Sequence, residues 1–161
     1  MSAESTAESA DAELETVLLA IGGRDDTRID SLVTTVREIA PPNDATVVVA
    51  HVFDNGSYRE AVERILDTET ADIEPDELAA EMGVTQVVTE ELADDAIDCE
   101  ARATTGRRGE GIVEIAEEVD ADRVVVGGRQ RSPAGKAVFG STAQTVMLNA
   151  PCPVTFVRDQ A

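Results

Sequence analysis

The sequence predicts an α/β fold, a doubly wound five-stranded parallel sheet with helices on both faces, contained in a single domain. Three observations lead there. Apolar runs of strand length alternate along the chain with segments whose apolar residues recur at helical spacing. Strands separated by helices are joined by crossovers, which makes neighbouring strands parallel and covers both sheet faces. The length, 161 residues, is that of one domain with one sizeable core.

Residues 1–13 are almost entirely Ala, Ser, Glu, Thr and Asp without apolar periodicity, so they are expected to form a disordered acidic leader ahead of a domain at 14–161. Residues 16–21, TVLLAI, form a continuous apolar run that ends at Gly22-Gly23 and reads as a fully buried strand. Ile29, Leu32, Val33, Val36 and Ala40 then line one helical face, which Pro41-Pro42 is expected to end. A second buried strand covers 45–53, ATVVVAHVF. Tyr58, Ala61, Val62, Ile65 and Leu66 mark a second helix, and a longer one is expected over 76–97, weakened at Gly83. Residues 99–105, CEARATT, alternate as an outer strand does. Ile112, Ile115, Ala116 and Val119 give the next helix its buried stripe, and strand DRVVVG, a loop over 128–139, helix GSTAQTVMLNA and strand PVTFV complete the chain.

Composition excludes several functions. Asp and Glu number 33 against 13 Lys and Arg, a formal charge of −20, which argues against a nucleic-acid partner. Self-repulsion of that size destabilises a compact chain unless salt screens it, and Lys136 is the only lysine. Both features favour a halophile-type protein over an ordinary acidic one. No apolar run is long enough to cross a membrane, and the start carries acids where a signal peptide carries bases, so a cytoplasmic location without membrane partners is expected. Cys99 and Cys152 stand far apart without a ligand pattern and read as buried reduced thiols, and no metal site is expected.

Ligands of doubly wound sheets sit beyond the carboxyl ends of the strands, which directs attention to the loops after Ile21, Phe53, Thr105 and Gly127. The richest segment is 124–144, VVVGGRQRSPAGKAVFGSTAQ, where glycines end a strand and Gly140-Ser141 opens a helix. Free N–H groups at a helix start favour an anion, and Ser141 or Thr142 can cap the helix or touch a phosphate. Residues 123–158 contain no Asp or Glu. Burial of the last strands and helix accounts for missing acids there, but not for Arg129, Arg131 and Lys136 clustered in the loop.

On these residues the chain resembles the universal stress proteins, whose nucleotide-binding branch carries a strand followed by G-x2-G-x9-G-S/T. Here the motif runs from Gly127 through Gln130, in place of its second glycine, to Gly140-Ser141. The resemblance extends over residues 15–158, through TVLLAIGGR, VVVAHVFD, GRRGEGIVEIAEEVDADRVVVGG and NAPCPVTFV. It implies ATP, or another adenine nucleotide, between the first and fourth strands: Ala20, Ile21 and Gly22 bordering adenosine, Val52 packing on adenine, and Gly127, Gly140, Ser141 and Thr142 holding ribose and phosphates. The family's usual first-loop Asp falls on Gly22, while Asp25 and Asp26 come later. Arg129, Arg131 and Lys136 can compensate by neutralising phosphate charge.

Arg107 and Arg108 follow the third strand at the same sheet end, where they can reach a ligand, but the favoured reading is a solvated pair or one paired with Glu110. His51 reads as structural, since no nucleophile or orienting carboxylate adjoins it in sequence. The acids Glu90, Glu91, Asp94, Asp95 and Asp98 read as a solvated helix face, and neither Ser132 nor Ser141 sits in a G-x-S-x-G elbow. Three functions stay open: a nucleotide-binding regulator acting in stress response, a nucleotide-free dimerising adaptor, and a slow ATP hydrolase, for which the sequence supplies no positioned base or Mg²⁺ ligands. The first, a protein without catalysis, is the expected one. The short apolar strand at 153–157 is expected at a sheet edge, and the family pairs through it, so a homodimer is expected.

Overall fold

The computed structural model describes residues 14–22, 28–66, 74–128 and 139–158. The predicted leader, the basic loop with Arg129, Gln130, Arg131 and Lys136, and Asp25 and Asp26 lie outside them.

Eleven elements follow one another among the described residues: β1 (Thr16–Ala20), α1 (Ile29–Asn43), β2 (Thr46–Phe53), α2 (Asn55–Leu66), α3 (Pro75–Ala80), α4 (Gly83–Asp94), β3 (Cys99–Thr105), α5 (Arg108–Glu118), β4 (Arg123–Gly128), α6 (Ser141–Asn149) and β5 (Val154–Arg158). All strand pairs are parallel, in the order β3-β2-β1-β4-β5. The sheet is therefore the five-stranded, doubly wound one predicted, and the direction of winding reverses between β1 and β4. Both strands read as outer ones, CEARATT and PVTFV, are the edges.

Alternate residues of the central strands feed two cores, as a pleated sheet buried on both faces requires. Val17, Leu19 and Ile21 pack with Leu32, Val33 and Val36 of α1 and with Val88 and Leu92 of α4. Leu18 and Ala20 face the other way, against Ile112, Ile115 and Ala116 of α5 and Val146 of α6. A smaller cluster joins Phe53 to Ala61 and Val62 of α2 and to Leu78 and Ala79 of α3. Each fully buried Leu or Ile contributes about 2 kcal/mol by leaving water.

Three local expectations need correction. Pro41-Pro42 does not end α1, which continues to Asn43 and stops at Asp44 in the left-handed region with φ 54°. The prolines lie in the last, exposed turn, their fixed φ already suits a helix, and the carbonyls that lose an N–H donor belong to Arg37 and Glu38, which are themselves exposed residues. The single helix expected over 76–97 is two, broken at Glu81-Met82, with Gly83 opening the second instead of weakening the middle of the first. Cys99 and Cys152 are free but only partly buried, because each lies on or next to an edge strand.

Candidate functional site

A cavity of about 770 Å³ opens at the carboxyl end of the sheet. Its floor is the ends of three strands: Gly22 beyond β1, His51, Val52 and Phe53 at the end of β2, and Gly106 beyond β3. The starts of two helices wall it, through Arg107, Arg108, Gly109 and Glu110 at α5 and Ser141, Thr142 and Thr145 at α6. Asp54, Ser57, Glu60, Ala61 and Arg64, on or just before α2, and Met82 close the far side.

Short-range features hold these groups in place. Gly106 turns the chain out of β3 at φ 130°, a conformation side chains rarely adopt, and donates its N–H to the Phe53 carbonyl at 2.8 Å. Two glycines let α5 approach the site closely. A Cβ on Gly109 would lie 2.8 Å from the Thr145 Cβ, and one on Gly111 would lie 2.7 Å from a Val52 methyl. Asp54 and Ser57 form a reciprocal box at the start of α2: Ser57 N–H donates to Asp54 Oδ1 at 2.7 Å, and Asp54 N–H donates to Ser57 Oγ at 2.9 Å. These bonds from Ser57 hold the Asp54 carboxyl below its ordinary value.

His51 is buried, and its Nδ1–H donates to the Ile21 carbonyl at 3.1 Å. Its ring meets Phe53 edge-on at 4.3 Å, so it ties the ends of β1 and β2 together, in keeping with a structural role.

The cavity brings together four residues that the sequence placed at a ligand: Gly22, Val52, Ser141 and Thr142. The other described candidates do not line it. Ala20 and Ile21 are fully buried on opposite sheet faces, because the β alternation that makes them core residues turns both side chains from the cavity. Gly127 pairs with Val157 inside the β4–β5 ladder. Gly140 caps α6 with φ −65° and ψ 165°, a backbone any residue can adopt, and a Cβ there would meet nothing within 4 Å.

Two neighbouring arginines have different surroundings. Arg107 is mostly exposed, with Nη1 3.9 Å from Glu110, as expected of a solvated pair. Arg108 departs from that reading. It is partly buried, lines the cavity, and lays its guanidinium over Gly22, where a Cβ would be 2.6 Å from Cζ. The sequence signal was R-R-G-E-G itself, since two glycines in the first turn of a helix mark a close approach that brings the flanking arginine inward. The acids of α4 gather no metal site: among the described residues no three His, Cys, Asp or Glu side chains converge to hold an ion. Asp95 instead pairs with Arg37 of α1.

Residues 13–158 match the universal stress protein family. The chain belongs to that family. A universal stress protein of Thermus aquaticus is 29% identical over 152 residues, covering 89% of this chain and 98% of the relative. The structure of a universal stress protein from Archaeoglobus fulgidus superposes with a TM-score of 0.65 at 26% identity, covering 89% of this chain and 98% of the other. A universal stress protein from Archaeoglobus fulgidus in complex with dAMP gives 0.61 at 23%, with the same coverages. Among the described residues, no helix of this universal stress protein is long and apolar enough to cross a membrane.

Proposed function

We propose that this universal stress protein is a regulator that binds an adenine nucleotide, ATP above all, in the cavity at the carboxyl end of the sheet, and acts as a homodimer in stress response without catalysing a reaction. The observation that carries this reading is the convergence of Gly22 and Val52 with Ser141 and Thr142 in one cavity, although they lie far apart in the sequence. The cavity is of nucleotide size, apolar at Val52 and lined with hydroxyls at the start of α6, whose N–H groups suit phosphate. Fold neighbours solved with dAMP, with cAMP and, from Arabidopsis thaliana, with AMP support adenine as the base. Val52 would pack on the base, and Ser141 and Thr142 would hold phosphate.

Homodimerisation is supported by the edge position of β5 and by exposed Phe139, Met147 and Leu148, with Phe139 packed edge-on against Phe156 of that strand. The charge of −20 supports work in a salt-rich cytoplasm.

The test is calorimetry in concentrated KCl on protein stripped of small molecules, with ATP and AMP as ligands. Saturable binding that weakens at least about tenfold in Ser141→Val is expected. Absence of heat with both nucleotides would move the function to the protein surface, as a nucleotide-free dimerising adaptor. Steady release of phosphate from ATP would instead favour a slow hydrolase.

A further inference from the structure

We infer that α3 is a detachable cover over the edge of β3, and that a ligand in the cavity holds it down through Met82. The inference rests on the nucleotide reading of the cavity and adds what occupancy changes elsewhere in the molecule.

α3 has little of its own to hold it. Its six residues are far short of the length at which a helix is stable alone, and Glu74 caps it without a side-chain hydrogen bond. Two attachments fix it. Leu78 and Ala79 are buried in the cluster around Phe53, which is separate from the two cores that hold the sheet between its helices. Asp76 accepts the Ala103 N–H at 2.6 Å on the outer side of β3. A small cluster and one hydrogen bond set the cost of releasing α3 well below that of opening the sheet.

The same cluster is a wall of the cavity, since Phe53, Ala61 and Met82 belong to both. Met82 is the junction. Its N–H donates to the Ala79 carbonyl at the end of α3 at 3.1 Å, and its carbonyl accepts the Gln86 N–H of α4 at 3.0 Å. Its side chain packs on the cluster while lining the cavity. A ligand seated against Met82 and Phe53 gains these contacts only while α3 is docked, because release of Leu78 and Ala79 breaks up the cluster that positions Met82. That difference in contact is what lets a ligand shift the balance toward the docked form.

The other end of the linkage is a strand edge. β3 ends the sheet, with β2 on its inner side; the Gly106 N–H turns inward to the Phe53 carbonyl, and the Ala103 N–H turns outward to Asp76. With α3 released, the outward backbone groups of β3 are open to pairing with another strand. Filling the cavity therefore sets how often this edge is presented.

Hydrogen exchange followed by NMR tests this in concentrated KCl, on wild type, Met82→Ala and Val87→Ala, each without ligand and with ATP at about 100 times its own Kd. Val87 is an exposed residue of α4 outside the cluster and the cavity lining, so its variant trims a neighbouring side chain without touching the junction. Leu19, in the middle of β1, reports opening of the whole sheet and confirms that each variant is folded. In free wild type, the Ala103 amide is expected to exchange at least about tenfold faster than Leu19, and ATP to slow it at least about tenfold. Val87→Ala should keep that slowing, whereas Met82→Ala at equal saturation should show no more than about a threefold one. Ala103 and Leu19 exchanging at one rate, ATP binding without slowing Ala103, or equal slowing in Met82→Ala each overturns the inference and leaves the nucleotide reading standing. Failure of wild type to bind ATP overturns both.

Discussion

The thiol of Cys99 sits at the start of edge strand β3, partly covered, with its Sγ–H directed at the Ile97 carbonyl 3.7 Å away. Burial, helped by the charge of Asp98, pushes this thiol from its ordinary 9.0 up to about 11. The thiolate is the reactive form, so Cys99 in the native protein should alkylate slowly with iodoacetamide at about pH 8 and quickly once unfolded in urea. The proton is held more tightly in the folded state, so its contribution to stability is intact below 9.0 and is lost as pH rises toward about 11. Native alkylation as fast as that of the unfolded chain would show that the covering of Cys99 is not real. Arg108 teaches a related lesson about residues. Its charge and its neighbours were legible in the sequence, but its burial was not, because the space it fills is created by Gly22, which is brought beside it only by the fold.

At the scale of elements, periodicity made the strands and helices legible, since each central strand is a run of apolar residues and each helix shows a stripe. The breaks were less legible. Pro41-Pro42 looked like a stop, yet the carbonyls left without donors belong to Arg37 and Glu38 on an exposed stretch of the helix, where a lost hydrogen bond costs less than in a buried one. The division between α3 and α4 depends on tertiary contact: Leu78 and Ala79 pack with Phe53, whereas Val88 and Leu92 join the core beneath α1. Short α3 also covers a sheet edge. Asp76, in its first turn, accepts the N–H of Ala103 at 2.6 Å on the outer side of β3, where no strand follows. Removing that acceptor leaves a partly buried donor without its partner and uncovers an edge. Asp76→Ala should therefore cost about 1–2 kcal/mol in urea unfolding and speed exchange of the Ala103 amide. Unchanged exchange at Ala103 would mean that α3 is not what protects the edge.

The largest scale is set by charge. A formal −20 on one chain repels itself most strongly when compact, and a second copy at β5 would add an equal charge across a short strand. Screening acts on both costs together, because the Debye length falls from about 10 Å at 0.1 M salt to about 3 Å at 1 M. Concentrated KCl should accordingly raise the melting temperature and shift the scattering mass from the 17.0 kDa protomer toward twice that value. Salt also strengthens apolar burial, so the effect of charge must be separated from that of exclusion. Sucrose provides the separation, since it favours burial without screening. KCl should stabilise the fold and the dimer well beyond sucrose of equal osmolality, and a Leu148→Asp change, which adds a charge at an apolar residue 77% exposed, should make dimerisation demand still more KCl. If sucrose matched KCl in both measurements, self-repulsion would not be what limits this molecule, and if the mass stayed at one protomer in every salt, the edge of β5 would not be a pairing surface.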